Sequence, residues 1–198
     1  MAGGTGLNIQ MGLRESVDFD FFVPHTFDTS FLYEKLSALD YNIKIINQTK
    51  GTLDLLIDDI QVSFFYFSNP LINKCINYKN INIASIEDIA IMKLIAIGNR
   101  GAKKDFFDLY YILKETDIDE NTLIEGLLFK YGNHINYFHT LLGLNYFRDA
   151  NHDALPDVLI EYDWEEIKAF FNQFQSIIIE TYNKKLENEK ANELNISL

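Results

Sequence analysis

Two carboxylates near the start of the chain have the spacing of a metal-binding pair. Asp18 and Asp20 are separated by one residue in a segment, 17–22, that is otherwise apolar. This pattern predicts a β-strand, in which alternate residues share a face, so the two acids lie roughly 6–7 Å apart at the backbone. One or two hard divalent cations, Mg²⁺ or Mn²⁺, can bridge that span. The alternative is an ordinary amphipathic strand with an acidic edge facing solvent.

A glycine pair followed by a hydroxyl residue precedes the two acids. Gly3, Gly4 and Thr5 form a predicted turn at the start of a short helix over 5–13. Glycines let backbone N–H groups approach an anion closely, and the positive end of the helix dipole favours phosphate there. The Thr5 hydroxyl adds a further donor. The turn and the acids together predict a unit in which the turn holds a triphosphate and the acids hold its magnesium; a plain turn is the alternative.

A second set of charged residues lies in the middle of the chain. Lys93 is placed on an apolar face of a helix predicted over 86–98, so its ammonium needs an anion. Arg100 follows it, and Asp105 and Asp108 are neighbours at i and i+3 of the next predicted helix. Two interpretations are open. Lys93 contacts a bound anion, or it pairs with one of the two aspartates in a structural ion-pair network.

The elements that must position these residues form a strand-rich part followed by a helical part. Strands are predicted over 17–23, 42–48, 52–57 and 60–67, and a helix over 29–39. Further helices are predicted over 86–98, 103–115, 119–131 and 133–146, and from 163 to about 185. This order predicts an α+β fold, a small mixed β-sheet with a C-terminal helical part.

We expect one compact protein with two parts and a tail. Residues 1–84 form the core around the sheet, with a truncated N-terminal strand because only two residues precede the glycines. Residues 85–185 form a helical part that completes the site. Residues 186–198, rich in Lys, Glu and Asn, form a flexible tail.

Composition limits the classes of function. The formal net charge of −12 disfavours non-specific adhesion to nucleic acid or to an anionic membrane, so a few placed cations must offset the charge of any bound nucleotide. A single cysteine, Cys75, excludes an internal disulfide and fits a reducing compartment. No apolar stretch approaches the roughly 18–20 residues of a membrane span. We expect a cytoplasmic protein without a membrane partner.

The order of these motifs resembles the nucleotidyltransferase superfamily typified by DNA polymerase β, in which a Gly-Gly or Gly-Ser turn precedes an Asp-x-Asp strand. The chain is more closely similar to the AbiEii/AbiGii-type nucleotidyltransferase toxin family, over nearly its whole length. The stretches that carry this resemblance are 3–5, 14–22, 62–65, 84–94, 99–110 and 146–150.

The resemblance implies a metal-dependent enzyme that moves a nucleotidyl group from an NTP to an acceptor such as tRNA or another RNA. It implies a toxin of a bacterial toxin–antitoxin or phage-defence system, with a cognate antitoxin as partner. The catalytic residues it implies are Asp18, Asp20, Lys93, Asp105 and Asp108, with the first two holding Mg²⁺ or Mn²⁺. The nucleotide-binding residues it implies are Gly3, Gly4, Thr5, Ser16 and Arg100. It does not choose between Asp105 and Asp108 as the acid that supports the site.

One position departs from the superfamily pattern. The third carboxylate that many members carry on a later strand corresponds to Ser63, and only Asp54 and Asp58 are nearby candidates. The toxin family often carries the same serine. The departure favours an alternative function, a catalytically weak or inactive module of the same fold that binds a nucleotide or a protein partner. A structural interaction protein without nucleotide affinity is a third possibility.

Overall fold

The structure, a computed structural model, describes residues 1–132, 134–155 and 157–196, with side chains described through Ala191. The described chain forms two compact units. The first contains Met1–Ile89 and the short segment 157–160, and the second contains Ala90–Leu155 and the residues from Glu161 onward. The functional division into 1–84, 85–185 and 186–198 stays a prediction. Within the described ranges, no helix combines the length and the hydropathy needed to cross a bilayer.

The first unit is built on a four-stranded mixed sheet. Its strands are β1 (Phe19–Val23), β2 (Ile43–Thr49), β3 (Thr52–Ile57) and β4 (Ile60–Tyr66), in the order β1-β4-β3-β2. β1 runs parallel to β4, and the other pairs are antiparallel. The sequence pattern of two strands separated only by Asp58 and Asp59 predicts a tight hairpin. This hairpin is confirmed, and both residues have the positive φ angles that a two-residue hairpin turn requires.

The strand β2 stands at the edge of this sheet. Its register against β3 shifts between Ile45 and Asn47, which marks a β-bulge. Ile45 and Ile46 are both exposed at this irregularity.

Two helices and a small hairpin complete the first unit. They are α1 (Gly3–Met11), α2 (Thr29–Ser37), β5 (Ile76–Tyr78) and β6 (Ile81–Ile83). The expected turn before α1 is wrong, because Gly3, Gly4 and Thr5 are themselves the first turn of the helix. The Asp28 carboxylate caps α2 by accepting hydrogen bonds from the backbone N–H groups of Ser30 and Phe31, at 2.9 and 3.0 Å.

The second unit is helical. It contains α3 (Ile86–Arg100) from Ala90 onward, α4 (Lys103–Glu115), α5 (Glu120–Tyr131), α6 (Tyr137–Leu142) and α7 (Trp164–Ile196), with short 3₁₀ turns at Gly143–Asn145 and Ala150–His152. Phe106, Phe107 and Phe171 are fully buried in its core. The α+β fold class is confirmed by this architecture.

Two predicted helices have an end that differs from the structure by more than two residues. The helix predicted over 133–146 is shorter, because α6 ends at Leu142 and a 3₁₀ turn follows; residue 133 lies outside the described part of the chain. The last helix does not end near Lys185. It continues to Ile196, and Lys185 supports it by pairing with Glu125 of α5 at 2.7 Å. Whether 186–198 form a flexible tail stays a prediction, and 197 and 198 lie outside the described residues.

Candidate functional site

The two predicted metal ligands lie at the start of β1. Asp20 is inside the strand, whereas Asp18 precedes its first residue, so the predicted strand start at residue 17 is wrong. The ladder to β4 begins at Phe19, and the carbonyl oxygen of Asp18 instead accepts a hydrogen bond from the Thr5 hydroxyl. Both carboxylates belong to half-buried residues.

Gly3 lies directly against the carboxylate of Asp20. A Cβ atom added to Gly3 would clash with Asp20 Oδ2. In addition, the φ of +72° at Gly3 is a backbone conformation that residues with a side chain rarely adopt, so both observations require glycine here. The backbone N–H of Ala2 also donates to the Asp20 carbonyl oxygen at 3.0 Å. The first turn of a helix has N–H groups without intrahelical acceptors. Asp20 is therefore held beside the positive end of α1.

Gly4 makes a second close approach, to a buried cation. A Cβ atom at Gly4 would stand 2.6 Å from Arg14 Nη2 and 2.8 Å from Ser16 Oγ. Arg14 is only 4% exposed, and its Nη1 donates to the Glu15 carbonyl oxygen at 3.1 Å. Arg14 is absent from the predicted site residues. Its place in the run of residues just before the two acids is the sequence signal that could have found it.

The Thr5 hydroxyl ties α1 to the segment that carries the acids. Thr5 is buried, and its Oγ1 lies 3.0 Å from Ser16 Oγ and 3.2 Å from the Ser16 carbonyl oxygen, as well as contacting the Asp18 carbonyl oxygen. These contacts give Thr5 a positioning role within the chain. Nucleotide binding by Thr5 and by Ser16 stays a prediction.

A segment from late in the chain pairs with the residues before the acids. The N–H of Glu15 donates to the Asp157 carbonyl oxygen at 2.8 Å, and the N–H of Leu159 donates to the Leu13 carbonyl oxygen at 3.0 Å. Arg14 and Val158 form an antiparallel bridge between them. This pairing fixes the backbone on which Arg14 stands.

Ser63, which the family resemblance aligns with the third acid of the superfamily, lies on β4. Ser63 is buried and lies opposite Asp20 on one side and opposite Asp54 on the other. Asp54 Oδ2 accepts a hydrogen bond from Asn47 Nδ2 at 3.1 Å, whereas its buried Oδ1 has no hydrogen-bond partner among the described residues. Asp58 is in the hairpin turn, where its carboxylate accepts a hydrogen bond from the N–H of Asn42 at 2.9 Å.

The donor set at the start of β1 fits a hard cation. Carboxylate oxygens are the ligands that Mg²⁺ and Mn²⁺ prefer. The Asp20 carboxylate lies against Gly3 in the first turn of α1, and Asp18 precedes it by two residues. In the part of the chain that the structure describes, no group of three or more His, Cys, Asp or Glu residues is arranged to hold a metal. Water or substrate oxygens would have to complete the coordination of an ion held by this pair.

Lys93 lies in a buried ion-pair network in the second unit. Its Nζ is 2.9 Å from Asp105 Oδ1 and 2.6 Å from Asp108 Oδ2, and all three side chains are buried. Arg100 adds bonds from Nε and Nη2 to Asp105 at 2.7 and 2.9 Å, while 56% of its own side chain is exposed. Of the two interpretations left open by the sequence, the ion-pair network is present in the structure, because the next helix supplies two carboxylates to the ammonium. Contact between Lys93 and phosphate stays a prediction.

Asp105 is the central acid of this network. Burial opposes ionisation of its carboxyl group, but the charge of Lys93 and the hydrogen bonds and charge of Arg100 together lower the pKa of Asp105 below its usual value. Two cations and two carboxylates balance in charge. Asp105 contacts both cations and Asp108 contacts Lys93, so both candidates for the supporting acid belong to one network.

The predicted site residues thus form two clusters, one in each unit. We call the first the acid cluster; it contains Gly3, Gly4, Thr5, Ser16, Asp18 and Asp20. We call the second the lysine network; it contains Lys93, Arg100, Asp105 and Asp108. That the two clusters serve one reaction stays a prediction.

Comparison with known proteins identifies the family. Residues 66–188 match the model described as the nucleotidyl transferase AbiEii toxin of type IV toxin–antitoxin systems. The chain belongs to the AbiEii nucleotidyltransferase toxin family. The resemblance noted from the sequence is therefore confirmed. The lysine network lies inside the matched part of this AbiEii chain, and the acid cluster precedes it.

The AbiEii chain also resembles proteins of two named bacteria. It is 38% identical over 177 residues to an uncharacterized protein of Aquifex aeolicus strain VF5, covering 87% of this chain and 84% of that one. The crystal structure of JHP933 from Helicobacter pylori is similar with a TM-score of 0.52 and 21% identity, over 97% of this chain and 88% of that one. A Helicobacter pylori structure described as a candidate nucleotidyltransferase has a TM-score of 0.53 and 21% identity, over 92% and 87%. At these identities the two structures indicate a shared fold.

Proposed function

We propose that the protein is a metal-dependent nucleotidyltransferase that moves a nucleotidyl group from an NTP to an RNA acceptor such as tRNA. Membership of the AbiEii family supports nucleotidyl transfer and a toxin role. The observation that carries the proposal is the contact between Gly3 and Asp20, with 2.4 Å between the carboxylate and a Cβ built on the glycine. It juxtaposes helix N–H donors suited to phosphate with a carboxylate suited to the metal of an NTP.

The acid cluster binds the triphosphate in this proposal. The first-turn N–H groups of Gly3, Gly4 and Thr5 hold phosphate oxygens, helped by the helix dipole. Asp18 and Asp20 hold the Mg²⁺ or Mn²⁺ ion, which when bound neutralises phosphate charge and orients the reacting groups. The buried Arg14 guanidinium lies beside Gly4 in this first turn.

The reaction is a substitution at the α-phosphorus of the NTP. A hydroxyl oxygen of the acceptor forms a bond to that phosphorus, the bond to the bridging oxygen breaks, and pyrophosphate leaves with the electron pair while the hydroxyl proton passes to water. The chain contributes mainly by holding the reactants in line. Lys93 and Arg100 offset the charge that develops in the transition state, and Asp105 and Asp108 hold Lys93 in place.

The setting is part of the same proposal. We infer a cytoplasmic toxin with a cognate antitoxin, in a toxin–antitoxin or phage-defence pair, because the family is described as a type IV system.

A transfer assay tests the proposal. The protein is incubated with each α-labelled NTP, Mg²⁺ or Mn²⁺, and total RNA, in parallel with a D18N/D20N variant and with a chelator. We expect label in RNA only with the unmodified protein and the metal. Equal labelling by the variant, or no labelling with any NTP, would contradict the proposal.

The alternative function is a module that binds a nucleotide or a protein without turnover. Ser63, buried beside Asp20 where a third carboxylate could stand, favours it. Calorimetry separates the two functions, because metal-dependent NTP affinity without labelled product supports the module. A protein without nucleotide affinity would show no thermal shift with any NTP and magnesium.

A further inference from the structure

A pocket of about 400 Å³ lies in the second unit, at the C-terminal end of α3. We call it the α3 pocket. Its size is within the range of small-molecule sites, which is roughly 300–1,000 Å³. The side chains that give it chemical character are Asn99, Arg100, His139, Leu142, Tyr146 and Asp149.

The floor of the α3 pocket consists of backbone. A Cβ atom on Gly143 would stand 2.9 Å from Gly98 Cα, and one on Gly98 would stand 2.8 Å from Thr140 Cα. The end of α3 and the turn after α6 therefore touch through glycine. Because neither glycine has a side chain, the two backbones can approach each other this closely.

The wall that carries Tyr146 is fixed from behind. Gln175 of α7, only 8% exposed, donates from Nε2 to the carbonyl oxygens of Leu141 and Leu142 at 3.2 and 2.9 Å. Its Oε1 accepts a hydrogen bond from Asn145 Nδ2 at 2.7 Å. These hydrogen bonds hold the turn before Tyr146 in place, so ligand binding costs little conformational entropy there.

The chemistry of the lining suits a flat, partly apolar ring that carries an anionic group. Tyr146 is 50% exposed and Leu142 is 44% exposed, so both offer apolar surface at the pocket. Asn99 and Asp149 offer hydrogen-bonding groups to the edge of a ring. The guanidinium of Arg100, which Asp105 holds through Nε and Nη2, also lines the pocket, and 56% of the Arg100 side chain is exposed. Any of the four bases can stack on an aromatic ring, and the arginine guanidinium binds phosphate oxygens well.

We propose that the α3 pocket binds the base of a single nucleotide, stacked on Tyr146, with its phosphate at Arg100. This inference rests on the proposed function, whose substrates offer two sources of such a base, the free NTP and the terminal nucleotide of the RNA acceptor. A carboxylate in the lining, Asp149, favours the uncharged base over a polyphosphate inside the pocket.

Binding measurements on the full chain test the proposal without turnover. The probes are the four α,β-methylene NTP analogues, in which the bond to be broken is replaced, and short single-stranded RNAs that differ in the last base. The variants are Tyr146→Ala and Tyr146→Phe. The control is Tyr41→Ala, which removes a comparably exposed tyrosine from the first unit.

We expect Tyr146→Ala to weaken binding of one class of probe by roughly 5-fold to 150-fold, the range of base stacking on an aromatic ring. Tyr146→Phe keeps the ring and should stay within about threefold of the unmodified protein, as should Tyr41→Ala. Loss confined to the NTP analogues assigns the pocket to the NTP, and loss confined to RNA assigns it to the acceptor.

Unchanged affinity of Tyr146→Ala for both classes of probe would overturn the inference, as would the absence of binding of any probe to the unmodified protein. A Tyr146-dependent affinity in a protein that transfers no label would leave the pocket in place and refute nucleotidyl transfer alone. Equal melting temperatures of the variants establish that an altered affinity is not a folding defect.

Discussion

Replacing Lys93 with methionine removes the ammonium that contacts both Asp105 and Asp108. Methionine keeps a similar length and fills the same apolar surroundings, so the change isolates the charge. Nζ of Lys93 lies 2.9 and 2.6 Å from the two carboxylates, and neither aspartate is more than 1% exposed. The variant therefore leaves buried negative charge with less compensation.

The expected loss of unfolding free energy follows from this burial. Removing one partner of a buried ion pair costs about 3–5 kcal/mol, because the remaining charge stays desolvated. For a chain of this size about 1 kcal/mol corresponds to roughly 2–4 °C in the melting temperature, so we expect a fall of roughly 6–20 °C. Arg100→Met should cost about 1 kcal/mol or less, since most of the Arg100 side chain is in solvent.

Urea unfolding followed by circular dichroism measures these differences, with thermal melts as a second reading. A matched third variant combines Lys93→Met with Asp105→Asn and Asp108→Asn. Because it removes the buried charges together, it should recover much of the lost stability. If Lys93→Met loses less than about 1 kcal/mol, or if the neutral triple variant is no more stable than Lys93→Met, the network does not carry the structural role described above.

Two further changes have expected outcomes. Gly4→Ala puts a methyl group 2.6 Å from Arg14 Nη2 and 2.8 Å from Ser16 Oγ, so it should displace the first turn of α1. We expect the nucleotidyl-transfer rate in the labelled-NTP assay to fall by roughly 10–100-fold. An unchanged rate would contradict the close packing at Gly4. The stability difference between the unmodified protein and Asp105→Asn should be constant near neutral pH. This difference should shrink as the pH falls below 3.8, the ordinary pKa of an aspartate, and then through the lower pKa of Asp105 in the folded protein. Urea unfolding at several pH values measures it, and a difference that stays constant down to low pH would contradict the lowered pKa.

Local sequence signals predicted the elements that depend on neighbouring residues. The start of the helix predicted from residue 86 is confirmed, since Ser85 caps it: Ser85 Oγ accepts a hydrogen bond from the N–H of Asp88 at 3.0 Å and donates to its carboxylate at 2.8 Å. The turn at Asp58 and Asp59 could also be predicted locally, because the two adjacent aspartates themselves tolerate the positive φ angles of the turn. The hairpin of β5 and β6 escaped prediction, as its strands have three residues each and show no readable period.

Contacts between distant parts of the chain limited the prediction of the site. Asp18 and Asp20 could be recognised by their spacing, but the pairing of 157–160 with the residues before them has no local signal. The periodicity around Lys93 identified its apolar face correctly. It left open whether Lys93 pairs with an aspartate of α4 or with a bound anion, because helix packing, and not the order of residues within one helix, brings Lys93 and the aspartates together.

The bulge in β2 has a consequence for how the free chain behaves in solution. A regular edge strand offers a continuous row of N–H and C=O groups on which a strand from another molecule can pair, and the exposed Ile45 and Ile46 would strengthen such an association. The register shift between Ile45 and Asn47 interrupts that row at its apolar centre. The protein thereby carries its own protection against edge-to-edge polymerisation at this edge of its sheet.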